Sequence, residues 1–157
     1  MTTSNHDQQR RPATTTKMMT EVSTHRLRYS VLPARFVVCH LAPNSAIPAW
    51  ATASQFFSIT STADELSVVC DENSVPKNVQ AERGWACIQL QGPFPFQMTG
   101  VLTAVLNPLA AAEIGIFAVS TFDTDCILIK SNHLQAAKAA LLQAGHTETP
   151  SSIPENA

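Results

Sequence analysis

The chain is poor in the residues from which most catalytic motifs are built. Its five glycines stand apart, at 84, 92, 100, 115 and 145. No P-loop and no G-x-G-x-x-G can therefore be written, and G-x-S-x-G and H-E-x-x-H are also missing. No Ser, Cys or Lys has an obvious neighbouring base, so an enzyme is not expected. No apolar run approaches the roughly 20 residues that a bilayer-crossing helix needs. The four cysteines, at 39, 70, 87 and 126, form no C-x-x-C pair, and each lies in or ends an apolar run (VVCHL, SVVCD, WACIQL, DCILIK). With no signal-peptide apolar region before residue 25, this pattern predicts buried free thiols in a reducing compartment, the cytoplasm. Cys39 and His40 are neighbours in an apparent strand, face opposite sides and cannot share an ion. His25, His40 and His146 form no ligand spacing, so neither a metal nor any other cofactor is expected.

Charge is scarce, at 14% of residues, and unevenly placed. Residues 1–35 hold six of the ten basic side chains, whereas from Phe36 onward four basic residues face ten acidic ones. A folded part that is net −6 suits neither a nucleic-acid backbone nor an RNA-recognition module, which need Lys, Arg and stacking aromatics. Hydrophobic residues, at 45%, supply ample material for a core. Residues 1–23 and 147–157 have no apolar rhythm and read as disordered tails.

Between the tails the chain reads as a diverged repeat. RLRYSVL and FVVCHL read as strands on either side of Pro33, and IPAWATA as one helical turn. QFFSITS and LSVVC flank the polar TADE as a hairpin. SVPKNVQAERG reads as a short helix capped by Ser74 and ended by Gly84. The second half restarts with the strand WACIQL. Then Met98, Val101, Leu102, Val105, Leu106 and Leu109 recur at helical spacing. Pro108 predicts that this helix bends or stops near residues 104–108. IGIFAVS and CILIK follow as strands around TFDTD, and Ser131 caps a last helix carrying Leu134, Ala137, Leu141 and Leu142, closed by Gly145. FFSITSTADELSVV overlays IFAVSTFDTDCILI at a shift of 60 residues. Two β-α-β-β-α units result, which predicts an α+β fold of two ferredoxin-like βαββαβ modules packed side by side. The expected modules are residues 24–84 and 85–146.

IPAW, FFSIT with STADELSVVC, ERGW, GPFPFQMTGVL, PLAAAEIGIF, and STFDTD followed by ILIK carry a family likeness. They resemble the tandem ACT-domain family, which includes the CASTOR arginine sensors and the regulatory halves of aspartate kinases. The likeness runs from about residue 28 to 146, and Cys126 stands where the family has an aromatic. It implies an amino-acid site between modules. Gly100 opens a helix, where free amides favour an α-carboxylate. Asp123 and Asp125 could hold an ammonium or a guanidinium. Thr99, Ser120 and Thr121 offer hydroxyls, and Phe122 offers an apolar wall; Val101 and Gly115 complete the expected set. Each has a plainer reading: Asp123 and Asp125 as turn formers, Thr99 as a helix cap, Gly100 as a packing residue and Phe122 as core. Trp50 and Trp85 read as packing anchors.

The expected function is a non-enzymatic, allosteric amino-acid sensor whose ligand, on family likeness, is arginine. It would act through a regulated partner protein. The full sensors have four modules and this chain two, so a homodimer is expected to rebuild the arrangement. The other reading is a ligand-free interaction or oligomerisation module that pairs its sheet edges with another subunit. Neither reading involves nucleic acid or a membrane.

Overall fold

The computed structural model describes residues 25–151. It contains β1 (Arg28–Val31), β2 (Phe36–Leu41), β3 (Ser58–Ser61), β4 (Leu66–Asp71) and β5 (Ala81–Leu90). Then come α1 (Val101–Ala111), β6 (Ile116–Ser120), β7 (Asp125–Lys130), α2 (Leu134–Gln143) and β8 (Thr147–Glu148). All eight strands belong to one sheet.

β5 is its spine. Along one edge its first half pairs antiparallel with β2 (Phe36↔Trp85, Cys39↔Ala81) and its second half with β1 (Tyr29↔Leu90, Val31↔Ile88). β1 and β2 are thus two pieces of one run, split at Pro33. Pro has no N–H to donate, and so interrupts a ladder. Along its other edge β5 pairs with β7, which in turn pairs with β6. Two strand orders follow, β5–β2–β4–β3 and β1–β5–β7–β6, each the ferredoxin-like arrangement expected from the repeat. The expected division at residues 84/85 falls inside β5.

Burial follows the alternation of each strand. Ile88, Ile127 and Ile129 pack under α1 and α2 through Val105, Leu109 and Leu141. Each such buried aliphatic side chain contributes about 1.5–3 kcal/mol. On the first module Val37, Cys39, Leu66 and Val68 pack with Ala51 and Val75. The opposite face carries a third cluster built on Phe36, Val69, Cys87, Cys126 and Leu128. β7 is therefore buried on both faces, which explains the unbroken apolar run CILI.

Four local expectations need correction. Residues 74–84 form no helix. A short 3-10 turn at Glu72–Ser74 is followed by β5 from Ala81. The first module needs an extended fourth strand there, so tertiary pairing overrides the local pattern. Gly84, with φ +78°, ends no helix. It sits within β5 in the left-handed region that suits glycine. Its N–H donates to Glu72 Oε2 at 2.9 Å and its carbonyl accepts from Ser131 Oγ at 2.9 Å. Ser131 is thus spent on Gly84 rather than on capping α2, and Leu142 points outward at 70% exposure. The C-terminal tail does not begin at 147. Thr147 and Glu148 pair parallel to β1, and Thr149 N–H donates to the Tyr29 carbonyl at 2.8 Å. Residues 1–23 lie outside the described residues.

The fourth correction concerns Pro108. α1 runs through it to Ala111. A proline there leaves the carbonyl of Ala104, four residues earlier, without its helical donor. His146 supplies a replacement. Its ring is buried, with Nε2 3.0 Å from the Ala104 carbonyl and Nδ1 accepting the Leu27 N–H at 3.1 Å. Because Leu27 can only donate, Nδ1 is the acceptor and Nε2 carries the proton. The ring is held in place by the end of α2. Gly145, at φ +89°, turns the chain so that His146 N–H bonds the Leu141 carbonyl, as in a Schellman end.

All four cysteines are buried and reduced. They form two pairs, Cys39 with Cys70 and Cys87 with Cys126. The thiols of Cys70 and Cys87 are pushed well above the ordinary thiol range, first by the hydrogen bond to their partner and then by burial. A protonated, inaccessible thiol is a poor nucleophile.

Two outcomes are expected. An aromatic disulfide reagent at neutral pH should titrate essentially none of the four cysteines in the native chain and all of them in guanidinium. Fast native reaction of any one would contradict the buried pairs. Replacing His146 with Ala should cost about 2–4 kcal/mol in chemical denaturation, since it strands one buried donor and one acceptor. In a Pro108→Ala background the restored helical N–H should make that cost smaller by about 1 kcal/mol. Simple additivity in this cycle would show that His146 does not serve the proline-orphaned carbonyl.

Candidate functional site

The site lies where β5, α1 and the β6–β7 hairpin meet. After Leu90 the chain crosses beneath the hairpin turn, and Phe94 N–H donates to the Asp123 carbonyl at 2.8 Å. Gly92 permits that crossing: a Cβ there would run into the Asp123 carbonyl oxygen. The turn is braced from within and below. Thr121 Oγ1 donates to the Thr124 carbonyl at 2.9 Å, and Thr124 Oγ1 donates to the Leu90 carbonyl at 2.6 Å. Ser120 and Asp125 are register partners, and Ser120 Oγ donates to Asp125 Oδ1 at 2.5 Å. That bond aims the Asp125 carboxylate and leaves Oδ2 unengaged among the described residues. Asp123 is exposed at the turn itself.

Opposite stands the start of α1. Gly100 is its N-cap, at φ +80° and without a side-chain cap, and the first turn holds no acidic residue. The amides of its first turn have no acceptor within the helix, and the aligned peptides place roughly half a positive charge there. Between these poles lies a cleft of about 320 Å³. Its outer wall is aromatic: Phe96 and Phe122 meet edge to face at 5.1 Å, and they are 77% and 78% exposed. Two carboxylates therefore face a helix N-terminus without a side-chain cap, beside a greasy wall. The arrangement complements a small zwitterion with a positively charged or aliphatic tail.

Of the residues expected from the sequence, Gly100, Val101, Ser120, Thr121, Phe122, Asp123 and Asp125 line this cleft. Thr99 and Gly115 do not. Thr99 precedes the cap and therefore cannot fill that role; its carbonyl instead accepts from the His25 ring Nε2 at 2.9 Å. Gly115 comes just before β6, at the end of that strand away from Ser120. Phe122 is on the surface, so its plainer reading as a core residue fails. Phe94, Pro95, Phe96, Met98 and Thr124 also line the cleft and were missed. Their signal was PFPF, an apolar loop with no strand or helix period, lying immediately before the helix-opening Thr-Gly. Among the described residues no cluster of His, Cys, Asp and Glu could hold a metal, and no helix is long and apolar enough to cross a membrane.

Comparison with known proteins agrees with this architecture. Residues 80–143 match the ACT-domain model, and residues 34–78 match a model of an N-terminal domain. The human protein CASTOR3P is 30% identical over 96 residues, covering 53% of this chain. The chain spans 59% of that relative's length. Protein Atu0741 from Agrobacterium tumefaciens is 41% identical, with a TM-score of 0.77 over 82% of this chain and 96% of its own. The regulatory subunit of aspartate kinase from Thermus thermophilus, in its ligand-free form, is similar in fold alone. It has 12% identity and a TM-score of 0.53, over 73% of this chain and 96% of its own. On its strand order, its matched residues and these relatives, the chain belongs to the tandem ACT-domain family.

Proposed function

We propose that this chain is a non-enzymatic regulatory protein that binds an amino acid in the cleft between the start of α1 and the β6–β7 turn. The observation that carries this reading is the opposed pair of poles: free helix amides on one wall and the Ser120-oriented Asp125 carboxylate on the other. An α-carboxylate would bind the amides of Val101 and its neighbours. Asp125, with Asp123 beside it, would take the cationic end. Arginine suits that end, because a guanidinium can be gripped in bidentate fashion. Its aliphatic stem would lie along Phe122. Thr99 and Gly115 take no part.

The cleft is open where Phe96 and Phe122 project. A module of a second copy would cover those rings and shield the charges from water, which places the ligand at a homodimer interface. Binding would then favour one dimer geometry over another and alter contact with a regulated partner protein. The family relationship supports the regulatory reading.

A second reading rests on β6. Among the described residues this strand pairs only with β7, on one side, and Ile116 is 37% exposed along it. An apolar unpaired edge can add a strand from another chain with no ligand involved.

A thermal-shift screen of the whole chain against the twenty amino acids separates the two. A ligand at a hundred times its dissociation constant adds about 2.7 kcal/mol of stability. Arginine, or one related amino acid, should raise the midpoint. Asp125→Ala should weaken that ligand roughly 10- to 100-fold, the worth of a charged hydrogen bond. Undiminished affinity in the variant would rule out this cleft. Silence toward every amino acid at millimolar concentration, together with an oligomer that forms regardless, would favour the edge-strand reading.

A further inference from the structure

A second cavity, larger than the cleft above, lies elsewhere in the described residues. It measures about 560 Å³ and sits at the joint between the modules, where β1 turns into β2 and β4 ends. Small-molecule sites occupy roughly 300–1,000 Å³. Its apolar floor is Leu32 and Phe36, both buried, with the Phe56 ring edge-on to Phe36 at 5.5 Å. Arg35 and Asp71 also line it. Among the described residues the Arg35 side chain has no hydrogen bond or ion pair. Asp71 uses Oδ1 to accept the Asn73 N–H at 2.8 Å, which leaves Oδ2 unengaged. The neighbouring Glu72 is committed to Gly84.

The fold contains its own reference for this place. Phe36 and Trp85 are register partners at the centre of the pairing between the two modules. On the Trp85 side, β7 ends at Lys130, whose ammonium lies 4.3 Å from the indole centroid and 3.0 Å from Glu82 Oε2. That side is filled by the chain's own cation, resting on an aromatic face and paired with a carboxylate. On the Phe36 side, β4 ends at Asp71 instead. The residue in register with the aromatic is there a carboxylate, Asp71, where the other side has the ammonium of Lys130.

We infer that this joint cleft is a second binding site, for an α-amino acid with an apolar side chain. The ammonium of the ligand would lie against Asp71. The carboxylate would pair with the Arg35 guanidinium, and the side chain would lie on Leu32, Phe36 and Phe56. A ligand so placed bridges the end of β4 and the β1–β2 turn, and so braces the joint. The site stands on this geometry alone and is independent of the α1 cleft.

Calorimetric titration of the full chain with leucine, isoleucine, methionine and phenylalanine tests it. At least one should bind. Its decarboxylated amine and its deaminated acid should each bind at least about tenfold more weakly, since each lacks one charged hydrogen-bonding end. Arg35→Gln and Asp71→Asn should each weaken binding by a similar factor, the second variant keeping an oxygen to cap Asn73. Asp125→Ala, which disables the other cleft, should leave the titration unchanged. Three results would overturn the inference. These are no binding by any of the four amino acids at millimolar concentration, equal binding of the uncharged-end analogues, or binding lost in Asp125→Ala but kept in Arg35→Gln and Asp71→Asn.

Discussion

Each module supplies three strands of its own and takes its fourth from a segment that belongs, by sequence, to its neighbour. The first module is closed by the opening half of β5, whose second half founds the other module. The second module is closed by β1, the first element of the described residues. This exchange accounts for features that look unrelated. Pro33 can interrupt the β1–β2 run because that is where the run passes from one module to the other. Gly84 adopts a left-handed conformation at the matching place in β5. Glu72 from the first module and Ser131 from the second hold its two backbone groups. A module of about 60 residues has a marginal core by itself. Sharing strands lets two such modules bury a third cluster, around Phe36, Cys87 and Leu128, that neither would own alone.

The repeat, the strand order and most element boundaries were legible because strands and the α1 stripe have clear periods. Residues 74–84 were misread for a reason that no local window contains: Ala81–Arg83 is extended because β2 lies beside it. Pro108 was read as a missing hydrogen bond that bends or stops the helix, and the helix does not stop there. The rescue comes from His146, thirty-eight residues later, and a lone histidine after a helix-ending glycine carries no signal of that duty. Among the residues proposed for the site, the charged and hydroxyl side chains of the 120–125 turn were found because turns advertise themselves. Phe94, Pro95, Phe96 and Met98 were passed over, since an apolar loop without periodicity has no template to match.

The α1 cleft and the joint cleft differ in how they present charge. In the first, positive potential comes from backbone amides that cannot titrate or swing away, and the negative pole is a carboxylate steered by Ser120. Such a site is preorganised, so little ordering is left to oppose binding. In the second, the cation is a side chain, Arg35, and the floor is aromatic. The proline that limits β1 and the end of β4 set its walls, which ties its shape to the angle between modules. The first cleft belongs wholly to the second module, whereas the second touches the place where one module becomes the other.

The pairing of β1 with both β5 and β8 bears on how the protein is made. During synthesis β1 must wait for β5, about fifty residues later, and for β8, more than a hundred residues later. Pairing between such distant segments is slow, because loop closure precedes any compensating contact. The first module has three strands ready early, yet its sheet stays open until Ala81–Trp85 emerge, and those residues arrive joined to the strand that starts the next module. The first sheet can therefore close once β5 is out, whereas the second waits for β6 and β7. Until β5 arrives, the edge of β2 that it covers stays open.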